Sequence, residues 1–166
     1  MINGVHHISL ATADMARCLH FYRDLMGLTL IGEGHTQPGN TSFETVVGLE
    51  GARVHSAALR AGNVQIEVFQ YEHPPAAVGP VPRPCDVGIR HTCFDVTDIH
   101  AEYARLKSAG VEFISEPQVM GNHRVTAVYA RDPDNNIVEL QEIFAGSRVD
   151  KSHIRGLESP AAGRGI

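Results

Sequence analysis

Apolar and polar positions along this chain fall into two similar series. Residues 5–11 are an apolar run that reads as a buried strand. Asp14 follows in a helix-capping position, and Met15, Leu19, Tyr22, Leu25 and Met26 recur at helical spacing until Gly27 closes the segment. Residues 28–31 predict a second strand. The stretch 34–51 is rich in Gly, Pro, Asn and Thr and predicts a long mobile loop with a helical turn at 43–49. Residues 53–60 and 64–71 then predict a hairpin around Ala61-Gly62-Asn63.

The stretch 72–87 carries five prolines, Pro74, Pro75, Pro80, Pro82 and Pro84, and reads as a connector. Beyond it the order returns. Residues 88–96 predict a strand, Asp98 caps a helix through Ala109, and Gly110 closes it. Residues 111–115 predict another strand. Residues 124–131 and 137–144 pair across Asp132-Pro133-Asp134-Asn135-Asn136. Both series are therefore βαβββ, with module 1 at 4–71 and module 2 at 88–144 of a single domain spanning 1–144. The polar stretch 145–166 reads as a loose tail or an arm onto a partner subunit.

The repeat extends to individual residues. His7-Ile-Ser-Leu-Ala-Thr-Ala-Asp14 is answered 84 positions later by His91-Thr-Cys-Phe-Asp-Val-Thr-Asp98. A histidine at the same place in two copies of one unit suggests a site where imidazoles converge, which is how a metal is commonly held. The last strand of each unit adds one carboxylate in an apolar setting, Glu67 and Glu139. Buried carboxylates are costly without a cation or a donor nearby.

Charge and composition narrow the partners. A net charge of −5 supplies no basic footprint, so neither nucleic acid nor an anionic membrane is an expected partner. No segment is long and apolar enough to span a bilayer as a helix. Cys18, Cys85 and Cys93 are odd in number and show no zinc-type pairing, which suggests reduced thiols in a cytoplasm.

Four phrases resemble the vicinal oxygen chelate superfamily, the group of glyoxalase I, methylmalonyl-CoA epimerase, extradiol dioxygenases and bleomycin or fosfomycin resistance proteins. They are residues 7–14, Phe21-Tyr-Arg-Asp-Leu-Met-Gly-Leu28, residues 91–98 and Arg131-Asp-Pro-Asp-Asn-Asn-Ile-Val-Glu139-Leu. The resemblance implies an α+β fold in which two βαβββ modules make a half-open barrel around one metal. It also implies His7, Glu67, His91 and Glu139 as ligands. His6 competes for the first position, but strand alternation turns it to the other face, and the spacing to Asp14 favours His7.

Such a donor set suits one divalent ion: Zn, Ni, Co, Mn or Fe. By resemblance to glyoxalase I, Glu67 or Glu139 would take a proton from a small oxygen-chelating substrate while the ion stabilises an enolate or enediolate. That is an isomerase or lyase. The alternative is an Fe(II) extradiol-type ring-cleaving dioxygenase using His7, His91 and Glu139, with Tyr129 and His123 as further donors. Glu67 tips the choice toward the isomerase or lyase. A drug-sequestering protein of the resistance type is the third reading. A small-molecule substrate and a homodimer are expected, with ligands drawn from one chain or exchanged between two.

The remaining candidates carry weaker signals. Asn122, His123 and Arg124 precede a strand at the rim and read as substrate contacts, as does Tyr129. Glu44 and Glu50 would supply a further acid or base if the 34–51 loop closes. His20, His35, His55, His73, His100 and His153 read as solvated or locally hydrogen-bonded. Cys93 shares the His91 strand face and reads as a small buried hydrophobe, and Phe69 and Phe94 as core.

Overall fold

The alternation in His7-Ile8-Ser9-Leu10-Ala11 becomes strand β1 (His7–Ala11), in which exposed and half-buried residues take turns. The computed structural model describes residues 1–77, 79–121, 123–147 and 149. Asn122, His153 and residues 150–166 of the tail lie outside the described residues. Two compact units meet in sequence at Pro80 and Val81, inside the proline-rich connector.

In the first unit, the Asp14 side chain accepts from the Arg17 N–H and starts helix α1 (Met15–Leu19), which continues as a π-helical stretch over His20–Leu25. That wider turn appears in the bond from Met26 N–H to Phe21 O, and it shifts the helical phase. Met15, Cys18, Leu19 and Tyr22 are buried at ordinary helical spacing and Phe21 is buried beside them, whereas Leu25 and Met26 are only half-buried. Strand β2 runs over Thr29–His35, helix α2 over Thr41–Val47, β3 over Arg53–Ala61 and β4 over Val64–His73. The sheet order is β1-β4-β3-β2, with β1 parallel to β4 and the other pairs antiparallel. Leu59, Ile66 and Val68 are fully buried in it. Each contributes about 1.5–3 kcal/mol by leaving water.

The expected 34–51 loop is more ordered than its composition suggests. Strand β2 extends into it, and the Asn40 side chain caps α2 by accepting from the Phe43 N–H. Gly48 ends that helix at φ 68°, a left-handed conformation that glycine adopts without strain.

The second unit repeats the plan. It has β5 (His91–Asp95), α3 (Ile99–Ser108), β6 (Gln118–Met120), β7 (Val125–Arg131) and β8 (Ile137–Ile143), in the order β5-β8-β7-β6. Val125–Val128 and Ile137–Leu140 are buried without alternation, so both faces of these strands are covered. The expected strand at 111–115 is corrected. Only Phe113 bridges to Ala130, and the chain bends through 114–116 before pairing as β6. Pro117, which has no N–H, interrupts the ladder there.

Both units anchor their helix from the last strand. Gln70 Oε1 accepts from the Met15 N–H at 2.9 Å, and Glu142 accepts from the Asp98 and Ile99 N–H groups at 3.1 Å each. Among the described residues no helix is long and apolar enough to cross a membrane.

Candidate functional site

Strand register places one histidine and one glutamate on the same sheet face of each unit. Ser9 lies opposite Glu67 across the parallel β1–β4 pair, and Cys93 lies opposite Glu139 across β5–β8. His7 and His91 precede those residues by two, so each imidazole stands one pleat along from its carboxylate. His7 Nε2 is 3.5 Å from Glu67 Oε2, and His91 Nε2 is 3.2 Å from Glu139 Oε2. The pairs differ in exposure: the Glu67 side chain is 36% exposed and that of Glu139 11%. Among the described residues, no group of three or more His, Cys, Asp or Glu side chains is placed to hold a metal ion. Each unit contributes a pair.

Around Glu139 the setting is crowded. Tyr129 lies opposite it on β7, with its hydroxyl 3.5 Å from His91 Nδ1 and its ring 5.4 Å from the imidazole. Burial, followed by the negative charge of Glu139, raises the Tyr129 pKa above its ordinary value. Cys93 is exposed as a residue, which corrects its reading as a buried hydrophobe. Its sulfur is nevertheless hemmed in by protein, and this burial, then Glu139, pushes the thiol up to about 12. The thiol donates to Gln141 Oε1 at 3.2 Å.

In the first unit Ala58 stands where Tyr129 stands in the second, opposite the glutamate. The space beside His7 is taken instead by His6. Their Nδ1 atoms are 2.9 Å apart and their rings meet edge to face. His6 was expected on the opposite face, but it precedes β1, and strand alternation does not hold its ring there. Phe69 and Tyr71 follow Glu67 on its side of β4 by alternation. Phe69 is half-buried, with ring centroids 6.2 Å from Tyr71 and 6.3 Å from Phe43 of α2. Helix α2 thus leans on the strand face that carries Glu67, a contact its polar surroundings in sequence did not announce.

The other candidates are placed as follows. His123 lies in the turn before β7 at φ 62°, and the Arg124 guanidinium donates to Ala145 O. Glu44 sits in the first turn of α2, half-buried, and Glu50 is exposed. Phe94, expected in the core, is half-buried. His35 and His55 are locally engaged as expected: their rings stack at 4.3 Å, and they pair with Glu72 and Glu33 at 3.4 and 2.9 Å. His20 pairs with Asp24 at 3.2 Å.

This repeated geometry has relatives. Over residues 4–140 the chain matches the Glyoxalase/Bleomycin resistance protein/Dioxygenase superfamily. The chain belongs to that superfamily. It is 31% identical to the uncharacterized protein YaeR of Escherichia coli (strain K12), a match spanning 85% of this chain and 97% of YaeR. It is 24% identical to the mitochondrial methylmalonyl-CoA epimerase of Dictyostelium discoideum, over 85% of this chain and 79% of that protein. A shorter match, 37% identical, covers 51% of this chain and 45% of biphenyl-2,3-diol 1,2-dioxygenase 3 of Rhodococcus globerulus. Among solved structures, a glyoxalase family protein from Bacillus cereus superposes with a TM-score of 0.74 at 23% identity, covering 87% of this chain and 96% of its own. The α+β, glyoxalase-like fold expected from the sequence is thus the fold of this superfamily member. The superfamily's name spans both enzymes and resistance proteins.

Proposed function

We propose that His7, Glu67, His91 and Glu139 are the ligand set of one divalent ion, and that the protein is an isomerase or lyase acting by proton abstraction on a small oxygen-chelating substrate. The observation that carries this reading is the matched register of the two His–Glu pairs, each with Nε2 turned to its carboxylate. The residues suit the ion. Two imidazole nitrogens and two carboxylate oxygens fit Zn, Ni, Co, Mn or Fe(II), and Glu139, 8% exposed, is a carboxylate whose burial a cation would offset.

The bound ion would supply Lewis-acid polarisation of substrate oxygens. Glu67, the more open carboxylate, is the better placed of the two to take a proton from carbon and return it. Phe69, Tyr71 and Phe43 line the strand face beside it and would hold an apolar part of the substrate away from water. Proton transfer by a positioned side chain is worth roughly 10²–10⁴-fold. The buried Glu139 serves as ligand and keeps His91 oriented.

An iron-dependent ring-cleaving dioxygenase is the second reading, favoured by Tyr129 against His91 and by the match to the Rhodococcus dioxygenase. Glu67 and the longer coverage of the epimerases favour the first. A drug-sequestering protein is the third reading, and the presence of a His–Glu pair in each unit weighs against it. The two units would act as one domain of a cytoplasmic homodimer, within which the ligands come from one chain or from two.

Turnover of methylglyoxal–thiol adducts and 2-substituted acyl thioesters, compared with oxygen uptake on catechols, tests the assignment. Full turnover by both Glu67→Gln and Glu139→Gln would overturn it. Mixing His7→Ala and His91→Ala chains restores activity only if sites are shared between subunits.

A further inference from the structure

We infer that His6 is a positioning residue for His7. The inference rests on the reading of His7 as a ligand through Nε2. His7 presents Nε2 toward Glu67 and Nδ1 toward His6 Nδ1, at 3.5 and 2.9 Å. An imidazole that gives the Nε2 lone pair to a cation keeps its hydrogen on Nδ1, and that N–H needs an acceptor. His6 Nδ1 is that acceptor. Two neutral imidazoles facing through Nδ1 share one hydrogen, so a cation at Nε2 of His7 sets the direction of the bond: His7 donates and His6 accepts.

The second unit reaches the same end differently. His91 turns Nε2 to Glu139, and its Nδ1 faces the Tyr129 hydroxyl at 3.5 Å. The first unit has Ala58 of β3, one strand beyond β4, at the position of Tyr129, and that position offers His7 no hydroxyl. His6 replaces it from the chain's own preceding residue. Two imidazoles thus keep their Nδ1 sides engaged by unrelated residues, although the strands around them repeat.

The test is zinc affinity by chelator competition, together with the solvent exchange of the His7 Nδ1–H in ¹⁵N-labelled, zinc-loaded protein. His6→Phe keeps a ring of similar size and removes the acceptor. It is expected to weaken zinc binding about tenfold or more and to speed exchange of that N–H. His6→Asn, which retains an acceptor, is expected to recover most of both. Unchanged affinity and exchange in His6→Phe, with binding still abolished by His7→Ala, would overturn the positioning role alone. Zinc binding unaffected by His7→Ala would overturn the ligand reading on which it rests. Because His6 is exposed, its substitution leaves the fold intact and the outcomes interpretable.

Discussion

Glu139 faces His91 at 3.2 Å across the parallel strands β5 and β8, and only 8% of the glutamate is exposed. In the proposed ligand set, a cation would offset the burial of this carboxylate. Glu139→Gln keeps the shape and removes the charge, and is predicted to weaken divalent-metal binding by more than about tenfold. Chelator competition on the purified variant measures this. Wild-type affinity would remove Glu139 from the ligand set.

Glu142 lies three residues beyond Glu139, on the other face of β8, and accepts from the Asp98 and Ile99 N–H groups at the start of α3. A carboxylate there satisfies otherwise unpaired donors and meets the positive end of the helix dipole. Glu142→Ala is predicted to cost about 1–2 kcal/mol. For a chain of this size that lowers Tm by about 2–8 °C. Glu142→Gln should lose less, and an unchanged melting curve for Glu142→Ala would show that the cap contributes nothing.

Asp132 is 4% exposed, and its carboxylate accepts from the Asp134 N–H, the Asn136 N–H and the Asn136 Nδ2 at 2.7–3.0 Å. It therefore holds the turn that delivers β8. Asp132→Ala leaves those donors without their acceptor, and is predicted to cost about 2–3 kcal/mol in urea unfolding. A loss below about 0.5 kcal/mol, the scale of ordinary surface substitutions, would contradict this role.

Asp24 predicts a pH dependence. Hydrogen bonds from Arg23, then His20, hold its carboxyl at about 2, below the ordinary 3.8. A depressed carboxyl pKa stabilises the fold above the unfolded value and loses that contribution as pH falls through the folded one. The urea midpoint gap between wild type and Asp24→Asn should be constant above pH 3.8 and close as pH falls toward about 2. A gap independent of pH would contradict the pairing. Its size will be small, because the group is open to solvent.

Much of the fold was legible because its signals are local. Asp14 and Asp98 cap their helices as expected, Gly62 turns the β3–β4 hairpin with a positive φ, and the repeated His-to-Asp phrases mark equivalent strands. The π-helical stretch at 20–25 was hidden, because apolar residues at 3.6-residue spacing do not reveal a wider turn. The break at 114–117 was missed, since Val111, Phe113 and Ile114 make 111–115 resemble a strand until Pro117 is weighed. At the site, the sequence offered one histidine and one glutamate per unit, and the strand register sets His7 beside Glu67 and His91 beside Glu139. The roles of His6, Gln70 and Glu142 were illegible. Each depends on where a side chain meets a group elsewhere in the fold, and no periodicity encodes that. One signal was available: Glu67 and Glu139 are each followed three residues later by a hydrogen-bonding side chain, Gln70 and Glu142.

In the proposed function, two His–Glu pairs hold one catalytic ion. Elemental mass spectrometry of protein purified without added metal or chelator, beside His7→Ala and His91→Ala, tests it most directly. The expected result is about one Zn, Ni, Co or Mn ion per chain, lost in both variants. Iron in that place would favour the ring-cleaving dioxygenase. Protein that holds no metal even after reconstitution, or variants that keep the wild-type content, would contradict the claim.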